Sequence, residues 1–211
     1  LQILGGIEAA DSGVVLMRGE SVDLSKKASA AMRRERGIGH VPEDRHARGL
    51  VMPFQTWENT VLGYHNNLEF SGKFGLANQK AMMEDAKRKI EKFDIRPTNP
   101  HLKASNYSGG NQQKIVIARE IENNPDVLLV GQPTRGVDIG AIEFIHKQII
   151  ALRDQGKAVL LVSVELEEIL AMSDRIIVMF DGAIQGERMP EDTNEQELGM
   201  LMAGIDPEAS T

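Results

Sequence analysis

The feature that most restricts the fold is the order of short apolar segments and amphipathic segments along the chain. Apolar segments predict strands at 14–18, 37–41, 127–130, 158–163 and 175–180, with a short closing strand at 183–186. Helical periodicity predicts helices at 27–35, 80–93, 110–123, 139–155 and 166–172. Strands that alternate with helices favour a mainly parallel sheet flanked by helices, so we expect an α/β fold. The pair Asp181-Gly182 suits the tight turn of a terminal hairpin.

Length and charge narrow the classes of function. The chain has 211 residues, 41% of them hydrophobic and 26% charged, which is ordinary for a single folded domain. A formal net charge of −7 argues against nonspecific nucleic-acid binding, which usually needs a basic surface. The basic clusters at 26–27 and 33–36 are local and indicate a solvated helix face. No apolar run approaches the roughly 20 residues that span a bilayer. We therefore expect no nucleic-acid partner, and membrane contact only through another protein.

The chain offers no set of metal ligands of its own. It has no cysteine, and its five histidines show no recognisable metal-ligand spacing. We therefore expect no protein-held metal site, and any metal to arrive with a bound nucleotide.

A Ser-Gly-Gly turn at Ser108, Gly109 and Gly110 leads directly into a predicted helix. Two glycines let the backbone approach a ligand closely, and the first turn of a helix leaves unpaired N–H donors at its positive end. Ser108 is able to add a hydroxyl donor or to cap the helix. The turn alone therefore indicates either a phosphate site or an ordinary capped loop.

A second motif follows one helix later and makes the pattern more specific. The apolar run at 127–130 predicts a buried parallel strand and leads through Gly131, Gln132, Pro133 and Thr134 to Asp138. The order of these motifs resembles that of the ATP-binding cassette (ABC) ATPases, in which a signature turn is followed by a helix, a strand and a loop ending in Asp. The resemblance implies a P-loop NTPase-like ABC cassette, with ATP and Mg²⁺ as cofactors.

The resemblance also assigns roles to particular residues. It makes Ser108, Gly109, Gly110, Asn111 and Gln112 the signature, which binds the nucleotide of a partner cassette in trans. It makes 127–130 the Walker B strand and Asp138 the D-loop aspartate.

Four positions depart from the family pattern. Gly131 stands where the family has the Asp associated with Mg²⁺, and Gln132 stands where it has the Glu that polarises the attacking water. A glycine offers no carboxylate, and an amide cannot accept a proton as a general base. Glu43 replaces the usual Gln of the Q-loop at 38–45, and Val164 replaces the switch histidine and cannot hydrogen-bond a γ-phosphate. We expect no intact catalytic residue, and no ATPase activity from this chain alone.

The phosphate-binding loop is the clearest difference from a complete cassette. No G-x-x-x-x-G-K-[ST] occurs in the sequence. The first residues resemble the end of the helix that follows this loop, so we expect the chain to begin after the loop and to be part of a longer polypeptide.

The pattern changes to charged helices between 53 and 106. We expect an α/β core at 1–52 and 107–211, an inserted helical subdomain at 53–106 and a flexible tail at about 204–211. By resemblance this subdomain contacts the transmembrane partner, with Phe54, Trp57 and Tyr64 as the candidate contact surface. The alternative is that these aromatic side chains fill the core of the subdomain.

The resemblance extends over nearly the whole chain and is closest to one branch of the family. The motifs at 41–45, 108–114, 133–138 and 172–176 resemble the second cassette of bacterial importers for simple sugars and nucleosides. This resemblance implies a first cassette in the same polypeptide, transmembrane permease subunits and an indirect contact with a substrate-binding protein. It also implies a peripheral position at the cytoplasmic face of the membrane. Gly131-Gln132 resembles the nucleoside branch more than the sugar branch.

Two other interpretations stay open. The chain is alternatively a noncatalytic regulatory or interaction module that kept the ABC fold, which ATP-dependent association with the other cassette would distinguish. An engineered trap would explain Gln132 but neither Gly131 nor Val164.

Overall fold

A computed structural model describes residues 1–25, 29–72 and 76–205. Internal contacts divide the chain into two units, Leu1–Leu160 and Leu161–Thr211. The strands are β1 (Val15–Met17), β2 (Glu20–Val22), β3 (Ile38–Val41), β4 (Val127–Gly131), β5 (Ala158–Val162), β6 (Ile176–Phe180) and β7 (Ala183–Arg188). The α-helices are α1 (Ala30–Glu35), α2 (Thr56–Thr60), α3 (Gln79–Lys92), α4 (Gly109–Glu122), α5 (Ile139–Asp154), α6 (Leu166–Met172) and α7 (Glu195–Met202). Within the described ranges, no helix is long and apolar enough to cross a membrane.

Strands β3 and β4 lie in the first unit and belong to a three-stranded sheet with the order β3-β4-β5. β3 and β4 run parallel, with Ile38 opposite Val127 and Val41 opposite Val130. The interior of β4 is fully buried, as an apolar run in a parallel sheet requires. Helix α4 is buried along most of its length and packs against β3. The predicted α/β fold with a parallel sheet core is confirmed.

An antiparallel hairpin of β1 and β2 also belongs to the first unit, and the sequence did not predict β2. The two strands meet at Arg18 and Gly19, whose φ angles are 53° and 82°. Positive φ at both central residues matches the twist of a hairpin, and glycine adopts it without strain. The Arg-Gly pair is not the usual Asn-Gly signal, which explains why β2 was missed.

Segment 53–106 is helical where the structure describes it. It contains α2, α3 and 3₁₀ turns at Leu68–Phe70 and Ala104–Asn106, and its apolar cluster includes Val61, Phe70 and Met82. The pair of Lys89 and Asp85 is buried beside this cluster, at 2.6 Å between Nζ and Oδ2. The assignment of this segment as a separate subdomain stays a prediction.

The second unit is built on the antiparallel pair β6 and β7, which turns at Asp181 and Gly182 as the sequence predicted. Its core contains Ile176, Val178, Leu198 and Leu201, and α6 packs against this core through Leu166, Ile169 and Leu170. Helix α7 was not predicted; its N-cap is Asn194, whose side chain accepts from the Glu197 N–H.

Two sequence predictions extend beyond the described residues. Helix α1 begins at Ala30 with Ser29 as its N-cap, whereas the predicted helix began at 27. Residues 26–28 lie outside the described part of the chain, and so does 206–211, which holds most of the predicted flexible tail.

Candidate functional site

The turn before α4 leaves hydrogen-bond donors pointing away from the helix. Ser108 is the N-cap, and its Oγ accepts from the Asn111 backbone N–H at 3.5 Å and from Asn111 Nδ2 at 2.9 Å. Gly109 and Gly110 occupy the first two helical positions, whose N–H groups have no acceptor in the preceding turn of the helix. Because Ser108 Oγ accepts these bonds, its own proton is free to donate. Two backbone donors, a hydroxyl and the helix dipole therefore converge on one turn.

The side chains of Asn111 and Gln112 form hydrogen bonds with other residues of the chain. Asn111 Oδ1 accepts from the Arg96 N–H at 2.7 Å. Gln112 is 5% exposed, and its Nε2 donates to the carbonyls of Ala104 and Tyr107. Because these two side chains hold the turn in place, we retain only Ser108, Gly109 and Gly110 as candidate ligands of a phosphate.

The glycines of this turn also lie against the turn before α5. A Cβ atom on Gly109 would lie 2.6 Å from the Gly136 carbonyl oxygen, and one on Gly110 would lie 2.6 Å from Asp138 Oδ2. Contacts this close leave no space for a side chain at either position. The structure therefore brings the signature turn and the loop of Asp138 together, a contact that the sequence did not predict.

Asp138 is the N-cap of α5. Its Oδ1 accepts from the Ala141 N–H at 3.0 Å, and the residue is exposed. A carboxylate at this position satisfies one of the free donors of the helix and interacts favourably with its dipole.

The end of β4 carries no acid. Gly131 is the last residue of the strand and is buried, and a Cβ atom there would lie 3.1 Å from the backbone nitrogen of Glu43. The next residue, Gln132, has a left-handed φ of 47°. The structure thus places three of the four departing positions, at 43, 131 and 132, close together. Among the described residues, no cluster of three or more His, Cys, Asp or Glu side chains is arranged to hold a metal ion.

The fourth departing position lies in the second unit. Val164 follows β5, and its side chain is 60% exposed. The backbone turns there because Ser163 Oγ accepts from the Glu165 N–H at 3.1 Å.

The three aromatic residues predicted to contact a membrane subunit differ in exposure. Phe54 is 41% exposed, whereas Trp57 is half-buried against the cluster of Val61 and Phe70. Tyr64 is only 7% exposed, because its hydroxyl is buried against Glu120. We therefore remove Tyr64 from the candidate surface and keep Phe54 as its most accessible member.

A buried carboxylate behind the signature turn was missed by sequence reasoning. Glu120, in α4, is 0% exposed and accepts from the Tyr64 hydroxyl at 2.6 Å, the His40 backbone N–H at 3.2 Å and Arg119 Nε at 2.8 Å. Burial raises the pKa of Glu120, but the charges of Arg119 and Arg34 and the Tyr64 hydroxyl outweigh it and hold the pKa below its ordinary value. The same burial and the Glu120 charge raise the pKa of Tyr64.

Arg119 extends this cluster to two other segments. Its Nη1 donates to the carbonyl of Gly49 at 2.8 Å and to that of Asn59 at 3.3 Å. The helix that starts at the signature turn is therefore tied to β3, to the turn that ends at Gly49, to α2 and, through Tyr64, to the segment after α2. The adjacent Arg-Glu pair in an apolar stretch of α4 was the available signal, but its partners lie far away in sequence.

Comparison with known proteins identifies the class that this fold and turn define, an ATP-binding cassette. A solved dimeric cassette in a post-hydrolysis state with ADP and Pi superposes with a TM-score of 0.72 at 25% identity, covering 90% of this chain and 78% of that one. A nucleotide-free cassette from an ABC transporter also gives a TM-score of 0.72, at 21% identity, and supports the fold alone. Residues 1–135 match the family model described as ABC transporter. The chain belongs to the ABC transporter family.

Similar curated proteins are ATP-binding proteins of importers. The chain is 45% identical over 204 residues to the guanosine import ATP-binding protein NupO of Bacillus subtilis, covering 97% of this chain and 39% of that protein. It is 46% identical to the nucleoside import ATP-binding protein NupA of Lactococcus lactis, covering 97% and 40%. Identity to the ribose import ATP-binding protein RbsA 2 of Rubrobacter xylanophilus is 38%, covering 97% and 38%. The chain thus spans about two fifths of the length of these relatives.

Proposed function

We propose that this chain is the part of an ABC importer that completes the ATP site of a partner cassette and has lost its own catalytic groups. One contrast carries the proposal. The turn at Ser108, Gly109 and Gly110 offers free donors to an anion, whereas the strand end at Gly131 and Gln132 offers no carboxylate. A chain with this pair of features contributes to phosphate binding without activating water.

The proposed ligand of the turn is the phosphate chain of ATP held by the other cassette. When bound, ATP would supply the energy for the two cassettes to close on each other, and its hydrolysis would supply the energy for them to reopen. The backbone N–H groups of Gly109 and Gly110 and the Ser108 hydroxyl would donate to its oxygens, and the N-terminus of α4 would favour their negative charge. Asn111 and Gln112 keep the turn in this conformation through bonds within the chain. The residues therefore fit a nucleotide presented from outside this chain.

The residues at this chain's own strand end do not fit a Mg²⁺ ion. A hard cation prefers carboxylate oxygens and water, and neither Gly131 nor Gln132 supplies a carboxylate. We assign no catalytic step to this half-site. Its proposed role is limited to supporting the other site.

The proposed partners are drawn from the relatives' names and lengths. We propose a first cassette in the same polypeptide, transmembrane permease subunits and an indirect contact with a substrate-binding protein, at the cytoplasmic face of the membrane. The identities of 45% and 46% to guanosine and nucleoside import proteins exceed the 38% to a ribose import protein, so nucleosides are the favoured cargo.

The alternative, a noncatalytic regulatory module, is favoured by the loss of acids at Gly131 and Gln132. The open donors of the signature turn argue against it, because a scaffold has no use for an anion site. If this chain associates with the other cassette only in the presence of ATP, the importer proposal is supported. If the association is the same with and without ATP, the noncatalytic regulatory module is supported.

Replacing Gln132 with Glu in the two-cassette polypeptide is expected to leave ATP turnover within about twofold of wild type, because Gly131 still provides no carboxylate to the metal. Steady-state ATP hydrolysis measures the effect, with Gln155→Glu as a control for the added charge at an exposed position. A large increase would show that the strand end is competent for catalysis and that the proposal is wrong on this point.

Replacing Phe54 with Ala is expected to weaken coupling to the permease by roughly tenfold, as loss of an exposed aromatic anchor does in many interfaces. Transport and transport-stimulated ATP hydrolysis should both fall, while the melting temperature should fall only slightly, because Phe54 is 41% exposed. Ile184→Ala, at an exposed apolar residue of β7, serves as the control. Full coupling in the Phe54 variant would remove this residue from the contact surface.

A further inference from the structure

The side chain of Arg45 lies between the signature turn, which the proposed function assigns to the ATP site, and the loop before α5. Arg45 opens a single π-helical turn, Arg45–Gly49, whose N-cap is Asp44. Asp44 Oδ1 accepts from the N–H groups of His46 at 2.9 Å and Ala47 at 3.0 Å. This cap fixes the backbone from which the arginine projects.

The guanidinium of Arg45 donates to two consecutive carbonyls in the loop before α5. Nη1 lies 2.8 Å from the Arg135 oxygen, and Nη2 lies 3.3 Å from the Gly136 oxygen. These partners are 90 and 91 residues away in sequence. The planar fork of arginine suits two adjacent acceptors, whereas a lysine ammonium is a single point of contact.

The other side of the same guanidinium faces the signature turn. A Cβ atom on Gly109 would lie 2.8 Å from Arg45 Nη2 and 2.6 Å from the Gly136 oxygen. Gly109, Arg45 and Gly136 therefore meet at one point. In the described part of the chain no carboxylate lies within ion-pair distance of Arg45, so its charge is not neutralised by a salt bridge.

We propose that Arg45 is a positioning residue for the ATP site that this chain completes. By holding the Arg135 and Gly136 carbonyls, it fixes the loop of Asp138 against Gly109 and Gly110, and so sets the direction of their free N–H donors. The inference rests on the proposed function. It adds a residue outside the signature turn and the loop of Asp138, at the end of the segment 38–45, 90 residues from Arg135 and more than 60 from Gly109.

The test is steady-state ATP hydrolysis by the full-length two-cassette polypeptide carrying Arg45→Ala, Arg45→Lys, Arg48→Ala or Ser108→Ala. We expect Arg45→Ala to lower kcat about tenfold with KM changed less than about threefold, the pattern of lost transition-state positioning. Arg45→Lys should recover part of the loss, because an ammonium still donates to a carbonyl. Arg48, exposed on the same turn, is the matched control and should behave as wild type.

The outcomes separate this inference from the proposed function. Reduced turnover in Ser108→Ala with normal turnover in Arg45→Ala overturns the role of Arg45 and leaves the proposed function standing. Normal turnover in both overturns the proposed function itself.

A loss in Arg45→Ala needs two further readouts. The first is the loss of transition-state stabilisation, calculated from kcat/KM. If this loss in the double variant Arg45→Ala/Ser108→Ala is smaller than the sum of the losses in the two single variants, the two residues act through the same turn, and the inference is supported. Full additivity overturns it. A large fall in melting temperature without recovery in Arg45→Lys also overturns it, because the arginine would then act on the fold alone.

Discussion

Gly109→Asp in the two-cassette polypeptide is expected to lower ATP turnover by about 100-fold or more, the size of effect seen when an oriented donor is lost from a charge-stabilising site. The substitution acts in two ways. Its carboxylate would repel the phosphate that the turn is proposed to bind, and its Cβ would lie 2.6 Å from the Gly136 oxygen, forcing the turn out of place. Both effects would weaken the proposed binding in trans, so turnover should fall although the proposal gives this chain no catalytic acid.

Two further variants separate charge from shape. Gly109→Ala keeps the steric contact with Gly136 but adds no charge, so the difference between the Ala and Asp variants measures repulsion. Gly199→Asp adds the same carboxylate to α7, where a Cβ atom meets nothing within 4 Å, and is expected to leave turnover unchanged. Near-normal hydrolysis by a folded Gly109→Asp protein would exclude the signature turn from the working ATP site.

Glu120→Gln is expected to lower the free energy of unfolding of this chain by about 3 kcal/mol, because it removes the negative charge that pairs with buried Arg119. The amide also has only one acceptor oxygen, so its NH2 group would face either Arg119 Nε or the Tyr64 hydroxyl and His40 N–H, all of which donate to the native carboxylate. Urea unfolding at neutral pH measures the change. Tyr64→Phe is the matched control and should cost about 2 kcal/mol, the value of one hydrogen bond to a charged group.

The same variant carries a pH signature. The folded-state pKa of Glu120 is depressed, so its contribution is present above the unfolded pKa and is lost as pH falls through the folded pKa. The difference in stability between wild type and Glu120→Gln should therefore shrink in acid. A difference that is small at neutral pH, or that does not change in acid, contradicts the role given to this carboxylate.

The sequence predicted the parts of the fold that depend on local pattern. The run at 127–130 predicted β4 because a strand buried on both faces has to be apolar throughout. The Ser-Gly-Gly turn predicted the start of α4 because capping is a local interaction. Strand β2 and helix α7 were missed, because one follows an uncommon hairpin turn and the other lies in a polar stretch.

The candidate site was predicted by motif, but its internal bonds were not. No local pattern shows that Arg45 reaches the carbonyls of Arg135 and Gly136, because such contacts depend on how distant segments pack. The burial of Tyr64 has the same origin, since its partner Glu120 lies 56 residues along the chain. The residue type at each position was known from the sequence, but the hydrogen-bond partner of each residue could be identified only from the tertiary structure.

The close approach of Gly131 to Glu43 bears on how this half-site can change during evolution. A Cβ atom at 131 would lie 3.1 Å from the Glu43 nitrogen and 3.2 Å from its Cβ, so any side chain there requires a few tenths of an ångström of backbone movement at 43. A change from glycine to aspartate would therefore have to be accommodated by movement of the backbone at 43 before its carboxylate could serve as a metal ligand. The route back to a carboxylate at 131 thus depends on how far the backbone at Glu43 can move.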